Sequence, residues 1–122
     1  MIFGIGNDII EIKRIKEAIS NERFLKRYFT ENEINYFSKK KNIEETVAGI
    51  FCAKEAVVKA IGTGFYGFQS CDIEILHFDN GKPYLKLHNN AINICNEKNI
   101  NNIHISISHC NNYAQAIAIA EI

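Results

Sequence analysis

Val47-Ala48-Gly49-Ile50-Phe51-Cys52-Ala53-Lys54-Glu55-Ala56-Val57-Val58-Lys59-Ala60-Ile61 runs for about four helical turns with almost no polar interruption. Its good helix formers, closed by Gly62-Thr63-Gly64, predict one helix with a glycine stop. Apolar residues cover nearly the whole circumference, so the helix is expected at the centre of the fold. Charge enters only at Lys54, Glu55 and Lys59. A charge on a buried helix costs several kcal/mol unless it is paired or bound to a ligand. Glu55 and Lys59 lie four residues apart on one face, in the favourable order with the carboxylate first. Elsewhere that spacing is a plain helix ion pair. The apolar setting makes this stretch the candidate site.

Upstream, Ile2-Phe3-Gly4-Ile5-Gly6-Asn7-Asp8-Ile9-Ile10-Glu11 is apolar at both parities and predicts a strand buried on both faces. Gly4 and Gly6 leave room for another backbone or a ligand to approach. Asp8, near the strand's end and without a local partner, is either a turn carboxylate or a metal ligand. Ile12 to about Phe29 has a helical pattern in two pieces, broken near Ser20-Asn21. This segment carries Lys13, Arg14, Lys16, Arg23, Lys26 and Arg27 against Glu17 and Glu22. Such a run is a solvated face or, with Ile15, Ile19, Phe24 and Leu25 beside it, a docking face for an acidic partner. Thr30-x-x-Glu33 is a capping box opening a short helix to about Lys39. Lys39-Lys40-Lys41 then links to the central helix, either solvated or positioned for phosphates.

Downstream, Gly62 to Gly67 forms a glycine-rich loop without Walker or dinucleotide spacing. Asp72 to His77 and Tyr84 to His88 read as paired strands around the turn Asp79-Asn80-Gly81-Lys82-Pro83. Asn89 to about Lys98 fits a modest helix. Ile103 to Ser108 alternates strictly, and a turn over His109 to Asn112 leads into a last strand, Tyr113 to Ile122, leaving His109 at a strand end. The fold class is α+β: an antiparallel sheet packed on a long buried helix plus shorter helices, in one domain spanning residues 1–122.

At 122 residues the chain can bury one real core and has no room for a second. Fourteen basic residues balance fourteen acidic ones, which gives no global sign of a nucleic-acid partner. No apolar run reaches the roughly 18 residues of a membrane span, and no secretory leader opens the chain, so a cytoplasmic protein is expected. Cys52, Cys71, Cys95 and Cys110 are too widely spaced for a zinc site and read as reduced core thiols.

Three pieces, in this order, stop looking generic: Gly4-Ile5-Gly6-Asn7-Asp8-Ile9-Ile10-Glu11, Phe51-Cys52-Ala53-Lys54-Glu55-Ala56-Val57-Val58-Lys59-Ala60 and Ser106-Ile107-Ser108-His109. The chain resembles the holo-acyl-carrier-protein synthases, the short trimeric branch of the 4′-phosphopantetheinyl transferases. The resemblance runs its whole length and includes Gly62-Thr63-Gly64 and Asn80-Gly81-Lys82-Pro83. It implies transfer of phosphopantetheine from coenzyme A to a serine of apo acyl carrier protein, in support of fatty acid synthesis, with release of adenosine 3′,5′-bisphosphate. It also implies magnesium on Asp8 and Glu55, Lys59 facing the diphosphate, and active sites between subunits of a homotrimer. Further coenzyme A contacts are expected at Gly62, Gly64, His109, Lys41 and Pro83, and carrier docking at Arg14, Lys13 and Arg23. One departure stands out: the family often has arginine where this chain has Ile50, which would pass that cation's role to Lys40 and Lys41 or lose it.

Attack of a serine hydroxyl on a diphosphate builds negative charge, so the reaction needs charge stabilisation and in-line positioning. Magnesium suits two hard carboxylates plus waters and phosphate oxygens. Asp8 and Glu55 supply that number, with Lys59 one turn on as an electrostatic stabiliser. Glu55 or a metal-bound water is the base, and the residues do not choose between them. A non-catalytic adaptor for an acidic helical partner is the competing class. It explains the basic helix and leaves Asp8, Glu55 and Lys59 buried without cause.

Overall fold

The computed structural model describes residues 1–122. The chain runs β1 (Ile2–Glu11), α1 (Ile12–Ala18), α2 (Glu22–Tyr28), α3 (Glu31–Ser38), α4 (Ile43–Ile61), a single 3-10 turn (Ser70–Asp72), β2 (Ile73–His77), β3 (Pro83–Leu87), α5 (Asn90–Glu97), β4 (Asn102–His109) and β5 (Tyr113–Glu121). The strands form two antiparallel sheets, one ordered β1-β5-β4 and a separate ribbon of β2 and β3. The α+β class is as expected, with the antiparallel strands divided between two sheets.

α4 is the expected buried helix and begins one turn earlier than expected, at Ile43. Gly62 ends it in the left-handed conformation, φ 90°, a C-cap that glycine adopts without a Cβ penalty. The helix lies across one face of the three-stranded sheet. Ala114, Ala116, Ala118 and Ala120 of β5 turn their small side chains toward it and are all buried. On β1 the same role falls to Gly4 and Gly6. A Cβ at Gly4 would overlap the carbonyl oxygen of Ala60, and one at Gly6 that of Ala56. Small residues here let strand and helix backbones touch, which fixes the distance from β1 to α4.

β1 differs from its expected burial on both faces. It is an edge strand covered by α4 on one side only, so burial alternates: Gly6 is buried while Ile5 and Ile9 are 59% and 65% exposed. The basic segment breaks at Ser20-Asn21 as expected, and Asn21 caps α2 by accepting from the Arg23 N–H. The Thr30 capping box of α3 is present with both of its hydrogen bonds. Of the four free cysteines, Cys52 and Cys95 are buried, Cys71 is half-buried and Cys110 is exposed. The core expectation fails for Cys110 because it sits in the β4–β5 turn, where no layer covers it. No helix is long and apolar enough to cross a membrane.

Candidate active site

Asp8 lies on β1 two residues beyond Gly6, on the face turned to α4. The close strand–helix approach at Gly6 thus delivers Asp8 to the helix turn that carries Glu55 and Lys59. Lys59 reaches across, its Nζ donating to the Asn7 carbonyl at 2.9 Å and to Asp8 Oδ1 at 3.3 Å. The ion pair is therefore Asp8–Lys59, and the Glu55–Lys59 pair suggested by spacing is not formed. Lys59 is exposed, so the expectation that every charge on α4 lies buried holds only in part. Glu55 is half-buried and faces Asp8. Burial first, and then Asp8's negative charge, push the Glu55 carboxyl above its usual range, while Lys59 pulls it down.

Asp8, Glu55 and Arg14 line one open groove of about 400 Å³, walled by apolar side chains that include Ile15, Phe24 and Phe51. An adjoining groove of about 620 Å³ joins Asp8 and Asn7 to Ser108, His109 and Cys110. His109 thus reaches the Asp8 end of the sheet, where its Nδ1 stands 3.5 Å from Glu45 Oε2 in the first turn of α4. Beneath Asp8 lies Cys52, whose thiol donates to the Ala114 carbonyl at 3.4 Å. Burial, reinforced by the nearby Asp8 and Glu55 carboxylates, pushes that thiol up to about 12, so it stays protonated.

The donor set suits a hard divalent cation. Two carboxylates converge, and the one soft group beneath them, the Cys52 thiol, stays protonated; one carboxylate resists ionisation partly because the other is charged, a conflict that a cation relieves. No cluster of three or more His, Cys, Asp or Glu side chains forms a self-sufficient metal cage.

The remaining expected residues fall in two places. Gly62 and Gly64 follow α4 directly, in the turn after Lys59. Lys41 precedes α4, and residues 43 to 55 rise about 18 Å along the axis, so it stands well away from Glu55 within one chain. Its neighbour Lys40 sits 4.5 Å over the Tyr36 ring, which stacks at 4.0 Å on His77. His77 is the cross-strand partner of Pro83. Lys40 therefore stands toward the Pro83 end of the β2–β3 ribbon, and Lys41 follows it in the chain. Ile50 is in the core at 1% exposure and offers packing, not charge. Lys13, Arg14 and Arg23 are all exposed. Sequence reasoning missed the partner of Lys54, a fully buried Glu33 at 2.7 Å. The signal was present, since an uncovered lysine in an apolar run demands a carboxylate, but Glu33 already had a local explanation as a cap.

A model of the 4′-phosphopantetheinyl transferase superfamily matches residues 4–118. The chain belongs to that superfamily. A holo-[acyl-carrier-protein] synthase of Alkaliphilus metalliredigens is 54% identical over 98% of this chain and 99% of its own. One of Fusobacterium nucleatum is 52% identical over 98% of each. Among solved structures, the holo-[acyl-carrier-protein] synthase of Neisseria meningitidis superposes with a TM-score of 0.93 at 32% identity, covering 100% of both chains. That of Bacillus anthracis, in complex with CoA (3′,5′-ADP), has a TM-score of 0.82 at 40% identity over 99% and 97%. The relatives share this chain's full length, so the phosphopantetheinyl transferase fold includes all of its elements.

Proposed function

We propose that this chain transfers the 4′-phosphopantetheine group of coenzyme A to a serine of apo acyl carrier protein, in support of fatty acid synthesis. The observation that carries the reading is the meeting of Asp8, Glu55 and Lys59 at one strand–helix contact, in a chain with full-length synthase relatives. The serine oxygen forms a bond to the phosphorus bearing the pantetheine arm. The bond from that phosphorus to the oxygen of adenosine 3′,5′-bisphosphate breaks, and the serine proton leaves to a base. Lys59, exposed at the groove edge, can turn from Asp8 to a phosphate oxygen and stabilise the charge that grows there. Glu55 lines the groove with Asp8 and is the carboxylate placed there to take the serine proton. Magnesium, held by Asp8 and Glu55, would supply charge neutralisation at the diphosphate.

Coenzyme A contacts are assigned to Lys59, Gly62, Gly64 and His109 near the carboxylates, and to Lys41 and Pro83 at the ribbon. The two groups are separated along α4, which suits a site shared between neighbouring subunits. The outer face of the three-stranded sheet supports assembly as a homotrimer: Ile5, Ile9 and Ile117 stand exposed there, an apolar patch that a monomer rarely leaves open. Carrier docking is assigned to Arg14, Lys13 and Arg23 on α1 and α2, and the reaction to the cytoplasm. Incubation with coenzyme A, magnesium and apo carrier protein tests the reading by mass. The carrier should gain one phosphopantetheine, the gain should stop without magnesium, and Asp8→Asn should abolish it at limiting metal. No gain beside an active control enzyme overturns the activity. A monomer in light scattering overturns the shared site.

A further inference from the structure

On the side of α4 away from Asp8 stands a buried lysine that the reaction does not use. The Lys54 side chain is 1% exposed and that of Glu33 0%, with Nζ 2.7 Å from Glu33 Oε1. Nζ also donates to the backbone carbonyls of Tyr28 at 2.8 Å and Ser70 at 3.0 Å, so its three protons have three acceptors. Glu33 in turn accepts from the Thr30 and Ile75 N–H groups, each at 2.8 Å. The charge pair alone is a poor reason to keep a lysine in a core, because an apolar pair of similar volume is often as stable.

The carbonyls are the informative partners. Tyr28 is the last residue of α2, so its carbonyl is one of those a helix leaves without an internal donor. A cation there also complements the helix dipole, and Ser70 Oγ donates to the same oxygen at 2.8 Å. α2 fully buries none of its own residues. It leans on α4 through Phe24 and Tyr28 against Phe51, with ring centroids 6.3 and 5.6 Å apart. Yet Phe24 walls the groove of Asp8 and Glu55, and the exposed Arg23 directly precedes Phe24 in the chain. A helix so lightly buried needs a tether at its end to hold a fixed place.

We infer that Lys54 is a positioning residue for the carrier substrate: it pins the end of α2 to the helix that bears Glu55, and so sets where an acidic carrier stands relative to the reacting groups. The inference rests on reading Arg23 as part of the docking surface. Coenzyme A, whose assigned contacts all lie off α2, is not positioned by this tether.

The test uses the full chain and three variants. Lys54→Met/Glu33→Gln removes both buried charges together, which avoids stranding either one. Ser70→Ala removes only the second donor to the Tyr28 carbonyl, and Arg23→Glu probes the docking surface directly. kcat/KM is measured for the carrier at saturating coenzyme A, KM for coenzyme A at saturating carrier, and amide hydrogen exchange across residues 22–28. The double variant should lose about tenfold in carrier kcat/KM, and Ser70→Ala a few-fold, with the coenzyme A KM within about twofold. Exchange in α2 should quicken in both. Equal losses for the two substrates in a folded variant would reduce Lys54 to a stability role, and unchanged carrier kinetics would remove it altogether. If the double variant does not fold, Ser70→Ala decides. Normal carrier kinetics in Arg23→Glu would instead strike the docking reading, whereas impairment there beside normal Lys54 and Ser70 variants overturns only the tether.

Discussion

Gly6→Ala should disable the site from a position that touches no substrate. An added Cβ would stand 2.8 Å from the Ala60 nitrogen and 2.9 Å from the Ala56 carbonyl carbon, and closer still to the Ala56 oxygen. All three are backbone atoms of a buried helix, so no side chain can swing aside. Restoring an ordinary contact of about 3.4 Å to the nitrogen alone takes about 0.6 Å, and clearing the oxygen takes more than about 1 Å. β1 is the element free to give, because it is an edge strand. Overpacking of this kind costs about 1–3 kcal/mol, which a domain with about 5–15 kcal/mol of stability survives. Asp8, two residues on and on the same face, moves away from Glu55 with the strand. A misplacement of about 1 Å in a reacting constellation costs on the order of 100-fold in rate. The assay is carrier modification followed by mass, alongside thermal unfolding. Gly49→Ala is the control: it crowds only a methyl of Ile107, which can shift, and it gains helix propensity. Activity of folded Gly6→Ala within about threefold of the parent, or an equal loss in Gly49→Ala, would refute the argument that this contact sets the Asp8–Glu55 geometry.

If Lys59 stabilises charge that develops only in the transition state, Lys59→Met should lower kcat and kcat/KM together, by about 100-fold or more, in steady-state kinetics. Arg14→Glu should impair use of the carrier far more than use of coenzyme A and flatten the salt dependence of kcat/KM, with stability changed by no more than about 0.5 kcal/mol. Burial pushes the Glu74 carboxyl up, but hydrogen bonds from Thr30 and His88 outweigh it and leave the group below its ordinary value of 4.5. The stability Glu74 contributes is therefore present above that value and lost as pH falls through its own lower one. Urea unfolding of the parent and Glu74→Gln should differ at pH 7 and converge toward pH 3. A constant difference across that span would mean that Glu74 does not titrate as the structure implies.

Much of this protein is legible along the chain because it depends on neighbours in sequence. The break at Ser20-Asn21, the Thr30 capping box, the left-handed stop at Gly62 and the central helix all follow from local hydrogen bonding and from one unbroken apolar stretch. The motif residues Asp8, Glu55 and Lys59 were legible too, since charge in an apolar setting asks for a reason. Which charges meet was not. Spacing joined Glu55 to Lys59, whereas the tertiary structure joins Lys59 to Asp8, 51 residues away, and Lys54 to Glu33. The burial of β1 also went astray, because apolarity alone cannot distinguish a strand covered on both faces from one that leaves an apolar face exposed. Local propensity is set by a few adjacent residues. Charge pairing and burial are set by what the folded chain brings from elsewhere, here a helix laid so closely on a strand that only glycine fits between them.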